Sequence, residues 1–174
     1  MISFLKKLIA YFDTEEIPYM LSGSVAMSIY ALPRFTRDFD FIVHLQLKDI
    51  PKLIESFKEG YYCDEDAVKD AIIYKSMFNI IDFATNYKAD FIILKNDSYR
   101  IAEFERRKKI NFSDIQISLV SPEDLIISKI IWIQQSESSL QKQDIQLLLQ
   151  LKDIDLKYIK SWVNLLKLNT FNLI

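Results

Sequence analysis

The chain has 174 residues, half of them hydrophobic and 26% charged, with a formal net charge of -2. This composition excludes a disordered chain, and the near balance of charge excludes the broadly basic surface that grips nucleic acid nonspecifically. One cysteine, Cys63, excludes an internal disulfide framework, and one histidine beside it gives no basis for a zinc site.

Residues 1–12 carry Ile2, Leu5, Leu8, Ile9 and Phe12 at helical spacing, without the uninterrupted apolar run of a signal peptide. No stretch is apolar enough to span a membrane, so a cytoplasmic protein with no membrane partner is expected. Pro18 precedes a buried strand, Tyr19 to Leu21, and Gly23-Ser24 open a short helix closed by Pro33. Phe39 to Val43 follows as a strand. Helices are predicted over 49–58 and 64–73, then a hairpin pairing Met77 to Ala84 with Ala89 to Leu94. A charged helix is predicted over 97–109 and a strand over 116–120. Ser121-Pro122-Glu123-Asp124 then reads as N-cap, proline at N1 and an acid at N3. Leucine and isoleucine at helical spacing fill the remainder. The expected fold is α/β (α+β), a mixed sheet flanked by helices over residues 1–112 with a helical element over 113–174.

Gly23 is one of two glycines in the chain and lies where a strand becomes a helix. Backbone amides and the helix dipole at such a turn suit a phosphate, and Ser24 adds a hydroxyl. On the next strand Asp38 and Asp40 project to one side, with roughly 6 to 7 Å between them along the chain. Such carboxylates repel unless a cation lies between them, and oxygen ligands of this kind suit Mg²⁺ or Mn²⁺ bound with substrate phosphates. A two-metal phosphoryl-transfer site wants a third acid on a neighbouring strand. Asp90 and Asp82 both interrupt apolar strands; Asp90 is favoured because it lies near the start of its strand, as Asp38 and Asp40 do.

The string Gly23-Ser24-Val25-Ala26 followed by Arg34-Phe35-Thr36-Arg37-Asp38-Phe39-Asp40 resembles the nucleotidyltransferase superfamily of DNA polymerase β-like folds. With Ser121-Pro122-Glu123-Asp124-Leu125-Ile126, Lys129 and Asp144, it looks most like the AbiEii-type toxin nucleotidyltransferases. The resemblance implies that Asp38, Asp40 and Asp90 ligate Mg²⁺ or Mn²⁺ and that Gly23, Ser24, Arg34, Thr36, Lys129 and Asp144 bind a nucleoside triphosphate. Lys129 and the acids would be catalytic, with the helical element completing the active site. The implied acceptor is a hydroxyl of RNA, such as a tRNA 3′ end, or of protein, and a cognate antitoxin is an implied partner. The competing reading is a non-catalytic nucleotide- or partner-binding protein that keeps the fold.

Other residues read more plainly. His44 has no second histidine to support metal ligation. Arg106-Arg107-Lys108-Lys109 after Glu103 and Glu105 reads as a solvated helical face. Trp132 and Trp162 read as core, and Cys63 has no adjacent base in sequence.

Overall fold

Period-two alternation gives the central strands one aromatic face and one acidic face. The computed structural model describes residues 2–33 and 35–174. In chain order the elements are α1 (Ile2–Thr14), β1 (Tyr19–Ser22), α2 (Gly23–Tyr30), β2 (Asp38–Val43), a 3-10 turn (Leu47–Asp49), α3 (Ile50–Ser56), β3 (Tyr61–Tyr62) and α4 (Glu65–Tyr74). There follow β4 (Met77–Asp82), β5 (Lys88–Ile93), α5 (Ser98–Glu105), β6 (Lys108–Phe112), β7 (Ile115–Leu119), α6 (Pro122–Gln135), α7 (Ser139–Leu148) and α8 (Leu156–Leu165). The strands form one mixed sheet in the order β3-β4-β5-β2-β1-β7-β6. β2 is parallel to β5 and β1 is parallel to β7, while β1 and β2 are antiparallel.

Register decides which side chains share a face. Phe41 of β2 pairs with Phe91 of β5, and Phe78 of β4 pairs with Phe91 in turn. Their rings stack, at 5.6 Å between the first two and 4.9 Å between the second. Phe12 of α1 packs edge-on against Phe41 at 5.4 Å and stacks on Tyr19 at 4.8 Å. Burying each such aromatic contributes about 1.5–3 kcal/mol. That layer stabilises a sheet whose other face holds Asp38, Asp40 and Ile42 of β2 beside Lys88, Asp90 and Ile92 of β5.

The helical part joins this acidic face through β7. Leu21 pairs with Leu119, the Val120 amide donates to the Leu21 carbonyl at 3.0 Å, and the Tyr30 hydroxyl donates to the Val120 carbonyl at 2.6 Å. α6 starts immediately afterwards, with Ser121 Oγ accepting from the Asp124 amide. The buried Asp124 carboxylate also accepts from Arg106 Nε at 3.0 Å and the Tyr158 hydroxyl at 2.7 Å, tying α8 to the chain before β6. Among the described residues no helix is long and apolar enough to cross a membrane.

Two expectations change. The expected division at 112/113 falls inside the β6–β7 hairpin, where Phe112 pairs with Ile115, so residues after 112 supply a strand of the same sheet. The helix expected over 97–109 stops at Glu105, and Lys108 and Lys109 pair with Leu119 and Ser118 in β6. Arg106 is drawn to Asp124 and Glu123, and the alternation of Lys109, Ile110, Asn111 and Phe112 suits the hairpin better than another helical turn.

Candidate active site

β1 ends at Ser22, and the chain turns into α2 through Gly23 at a φ of +62°. A Cβ on Gly23 would stand 1.8 Å from Asp40 Oδ2, so this turn and the Asp40 carboxylate fit together only because position 23 has no side chain. Ser22 pairs with Asp40 across β1 and β2, which sets the first amides of α2 against the carboxylate. The Ser24 amide donates to Asp40.

Asp40 also pairs with Asp90 across the parallel strands β2 and β5, putting both carboxylates on one face. Burial pushes the Asp40 carboxyl above the usual carboxylate range and the Asp90 charge pushes it further; the Ser24 amide and, more weakly, Lys129 oppose this. Asp90 is buried, and among the described residues its Oδ1 has no hydrogen-bond partner. Its Oδ2 meets Lys88 Nζ at 2.8 Å, and the same ammonium lies 3.9 Å from Asp38 Oδ1. Among the described residues no three acid, histidine or cysteine side chains are already gathered as a metal cage. The acids nonetheless suit a hard cation, being carboxylates in register with a buried, unsatisfied oxygen.

Asp82, the other candidate third acid, lies elsewhere. Its Oδ1 accepts from the Ala84 amide at 3.0 Å and its Oδ2 from the Thr85 hydroxyl at 2.6 Å, so it holds the β4–β5 turn together. Thr36 stands beside Asp38, its Oγ1 accepting from the Asp38 amide at 3.3 Å. Arg34 lies outside the described residues. Lys129 is buried on α6 and donates to Asp144 Oδ2 and Gln141 Oε1, both at 2.8 Å, so Asp144 meets the nucleotide-binding candidates through Lys129.

A cleft of about 260 Å³ opens at this point. Ser22, Gly23, Ser24, Asp40 and Lys129 line it, and Ile42, Ile92, Leu125 and Trp132 add apolar lining. Arg100 and Ser128 also reach it, both bonded to the fully buried Glu103.

Trp132, Arg106 and Arg107 stand differently from expectation. Trp132, expected in the core, is 51% exposed and lines the cleft, whereas Trp162 packs edge-on against Tyr99 at 5.2 Å. Arg106 is engaged by Asp124 and lies 3.9 Å from the Tyr158 ring centroid, and Arg107 lies over Phe104 at 4.1 Å, so these two are not a solvated face. His44 is exposed just past β2, and burial pushes the Cys63 thiol up to about 12. Lys88 and Gln141 went unnoticed in the sequence because their partners come from strand register and helix packing.

No family model matches the sequence, and no curated protein matches it significantly. Solved structures do match. ANT(2'')-Ia in complex with adenylyl-2''-tobramycin superposes with a TM-score of 0.66 at 11% identity, over 95% of this chain and 96% of that one. The lincosamide antibiotic adenylyltransferase LnuA, lincomycin-bound, gives 0.55 at 15% identity over 84% and 94% of the two chains. An antigenic nucleotidyltransferase-like protein from Paracoccidioides brasiliensis gives 0.56 at 17% identity over 92% and 84%. The fold is that of the nucleotidyltransferases. It matches the mixed sheet, in which Asp38 and Asp40 of β2 share a face with Asp90 of β5.

Proposed function

We propose that this chain is a divalent-metal-dependent nucleotidyltransferase that moves a nucleoside monophosphate from a nucleoside triphosphate onto an acceptor hydroxyl. The observation that carries the reading is the pairing of Asp40 with Asp90 beside the Gly23 turn, with Asp90 Oδ1 buried and without a partner among the described residues. Asp38, Asp40 and Asp90 would hold Mg²⁺ or Mn²⁺. Such a cation neutralises charge on the triphosphate and eases loss of the hydroxyl proton.

The chain's own groups do the rest. The amides opening α2, with Ser24, receive phosphate oxygens, as a helix N-terminus does. Lys129, fixed by Asp144 and Gln141, offers an ammonium to the same cleft. The Asp90 carboxylate takes the proton of the acceptor hydroxyl as the hydroxyl oxygen attacks the α-phosphorus and the bond to pyrophosphate breaks. The apolar lining with Trp132 suits a flat ring, and water leaves the cleft when one docks there.

The resemblance to toxin nucleotidyltransferases favours an RNA or protein acceptor, with an antitoxin as partner and the cytoplasm as the place of action. The similar solved structures carry small-molecule antibiotics in two cases. The deciding experiment incubates the protein with α-³²P-labelled nucleoside triphosphates and Mg²⁺, offering total RNA, total protein, tobramycin and lincomycin separately. Mg²⁺-dependent label on one acceptor supports the reading and names the acceptor. Pyrophosphate release and label transfer absent in every arm, with nucleotide still bound, would sink it in favour of a non-catalytic nucleotide-binding protein.

A further inference from the structure

Lys88 pairs with Asp38 across β2 and β5 and stands two residues before Asp90 on the same face of β5. Its Nζ is 2.8 Å from Asp90 Oδ2 and 3.9 Å from Asp38 Oδ1, so it stands between two of the three acids. Resting on the reading of those acids as a divalent-cation site, we propose that Lys88 is a built-in counter-ion that holds Asp38 and Asp90 in the metal-free protein and is displaced when the divalent cation binds.

Three observations carry this. First, without a cation the strand register forces Asp38, Asp40 and Asp90 onto one face, where they repel, and the Lys88 ammonium is set against two of them. Second, Asp90 divides its two oxygens: Oδ1 is buried and has no partner among the described residues, while Lys88 holds Oδ2. The ammonium therefore leaves part of the carboxylate's capacity unfilled, and a dication bound at Asp90 would repel it. Third, the Lys88 side chain is 36% exposed against 11% for Asp90, so the lysine has a route to water that the carboxylate lacks. A long flexible lysine stem suits such an exchange better than the rigid fork of an arginine.

Lys88 is thus a positioning residue that competes with the metal. Its removal should tighten metal binding while weakening the metal-free fold, a pair of effects that a merely structural lysine would not produce together. The test measures Mn²⁺ affinity by the electron paramagnetic resonance signal of free Mn²⁺, and melting temperature with and without Mn²⁺. It uses the wild type, Lys88→Met, Asp40→Asn, and Lys109→Met, which removes the same charge from edge strand β6.

The expected result is Mn²⁺ binding at least about tenfold tighter in Lys88→Met than in the wild type or Lys109→Met. Metal-free Lys88→Met should also melt lower and recover more on adding Mn²⁺ than the wild type does. Equal or weaker Mn²⁺ binding in Lys88→Met, with Asp40→Asn abolishing it, would overturn the counter-ion role and leave the metal site standing. Mn²⁺ binding absent from the wild type and Lys88→Met alike would overturn both.

Discussion

Asp40 Oδ2 occupies the space that the first side-chain carbon of any other residue at position 23 would need, with 1.8 Å between them. The glycine at the β1–α2 turn and the acid on the next strand are therefore one feature. Gly23→Ala should cost about 1–2 kcal/mol for the left-handed backbone alone, before the collision is counted. Because the collision moves the carboxylate by an ångström or more, transfer should fall at least about 100-fold even in the folded fraction. Label transfer normalised to folded protein by circular dichroism checks this, and wild-type transfer in the alanine variant would separate Gly23 from the reaction.

Asp40→Asn should abolish transfer while leaving the metal-free protein as stable as the wild type or more so. The folded carboxyl is raised by burial and by Asp90, so the folded state binds its proton more tightly than the unfolded chain does. Metal-free stability should therefore fall as pH rises from the ordinary aspartate range through the raised value, and stay reduced above it. The asparagine variant lacks that proton and should show a shallower fall. Melting temperatures measured across that range in a chelating buffer test the sign, and a steeper fall in the variant would contradict it.

The acids of β2 were legible because a strand repeats every two residues, so Asp38 and Asp40 had to share a face against Phe39 and Phe41. The cap of α6 was legible because Ser-Pro-Glu-Asp satisfies its own amides locally. Strand register was not. The opposition of Lys88 to Asp38, or of Asp40 to Asp90, depends on how β2 and β5 align, and those strands are separated by α3, β3, α4 and β4. The run from Glu103 to Lys109 was misread because its charges fit a helix face as well as a hairpin edge. The choice was made by Asp124, which binds Arg106 from 18 residues away. Trp132 was misread because helical spacing alone does not say which face of α6 meets solvent.

The two candidate third acids should respond in opposite ways. Asp90→Asn should lose Mg²⁺-dependent transfer with little loss of stability, because an amide oxygen can still accept from Lys88 Nζ and one charge leaves a face where the acids repel. Asp82→Ala removes the acceptor for the Ala84 amide and the Thr85 hydroxyl, which should cost about 1–3 kcal/mol and leave transfer per folded molecule near that of the wild type. Urea melts beside label transfer read both quantities. Transfer lost in Asp82→Ala and kept in Asp90→Asn would assign the third acid to the turn.

Lys129 and Asp144 pose a harder problem, because their ion pair is buried and any truncation disturbs the fold as well as the site. Lys129 is 5% exposed and Asp144 3%, with 2.8 Å between Nζ and Oδ2. Removing one charge of such a pair costs about 3–5 kcal/mol, since the other charge stays buried. Lys129→Ala alone would therefore lose activity under either a structural or a catalytic role. The pair Lys129→Met and Asp144→Asn removes both charges at nearly constant volume, and should recover most of the stability lost in either single variant. If Lys129 faces the triphosphate, transfer by the double variant stays down by roughly one to three orders of magnitude, because the transition-state contact is gone whatever the melting temperature. If the ion pair only joins α6 to α7, stability and transfer return together. Measuring both on the same four proteins, the wild type, the two singles and the double, decides whether the C-terminal helices supply a working group or a support.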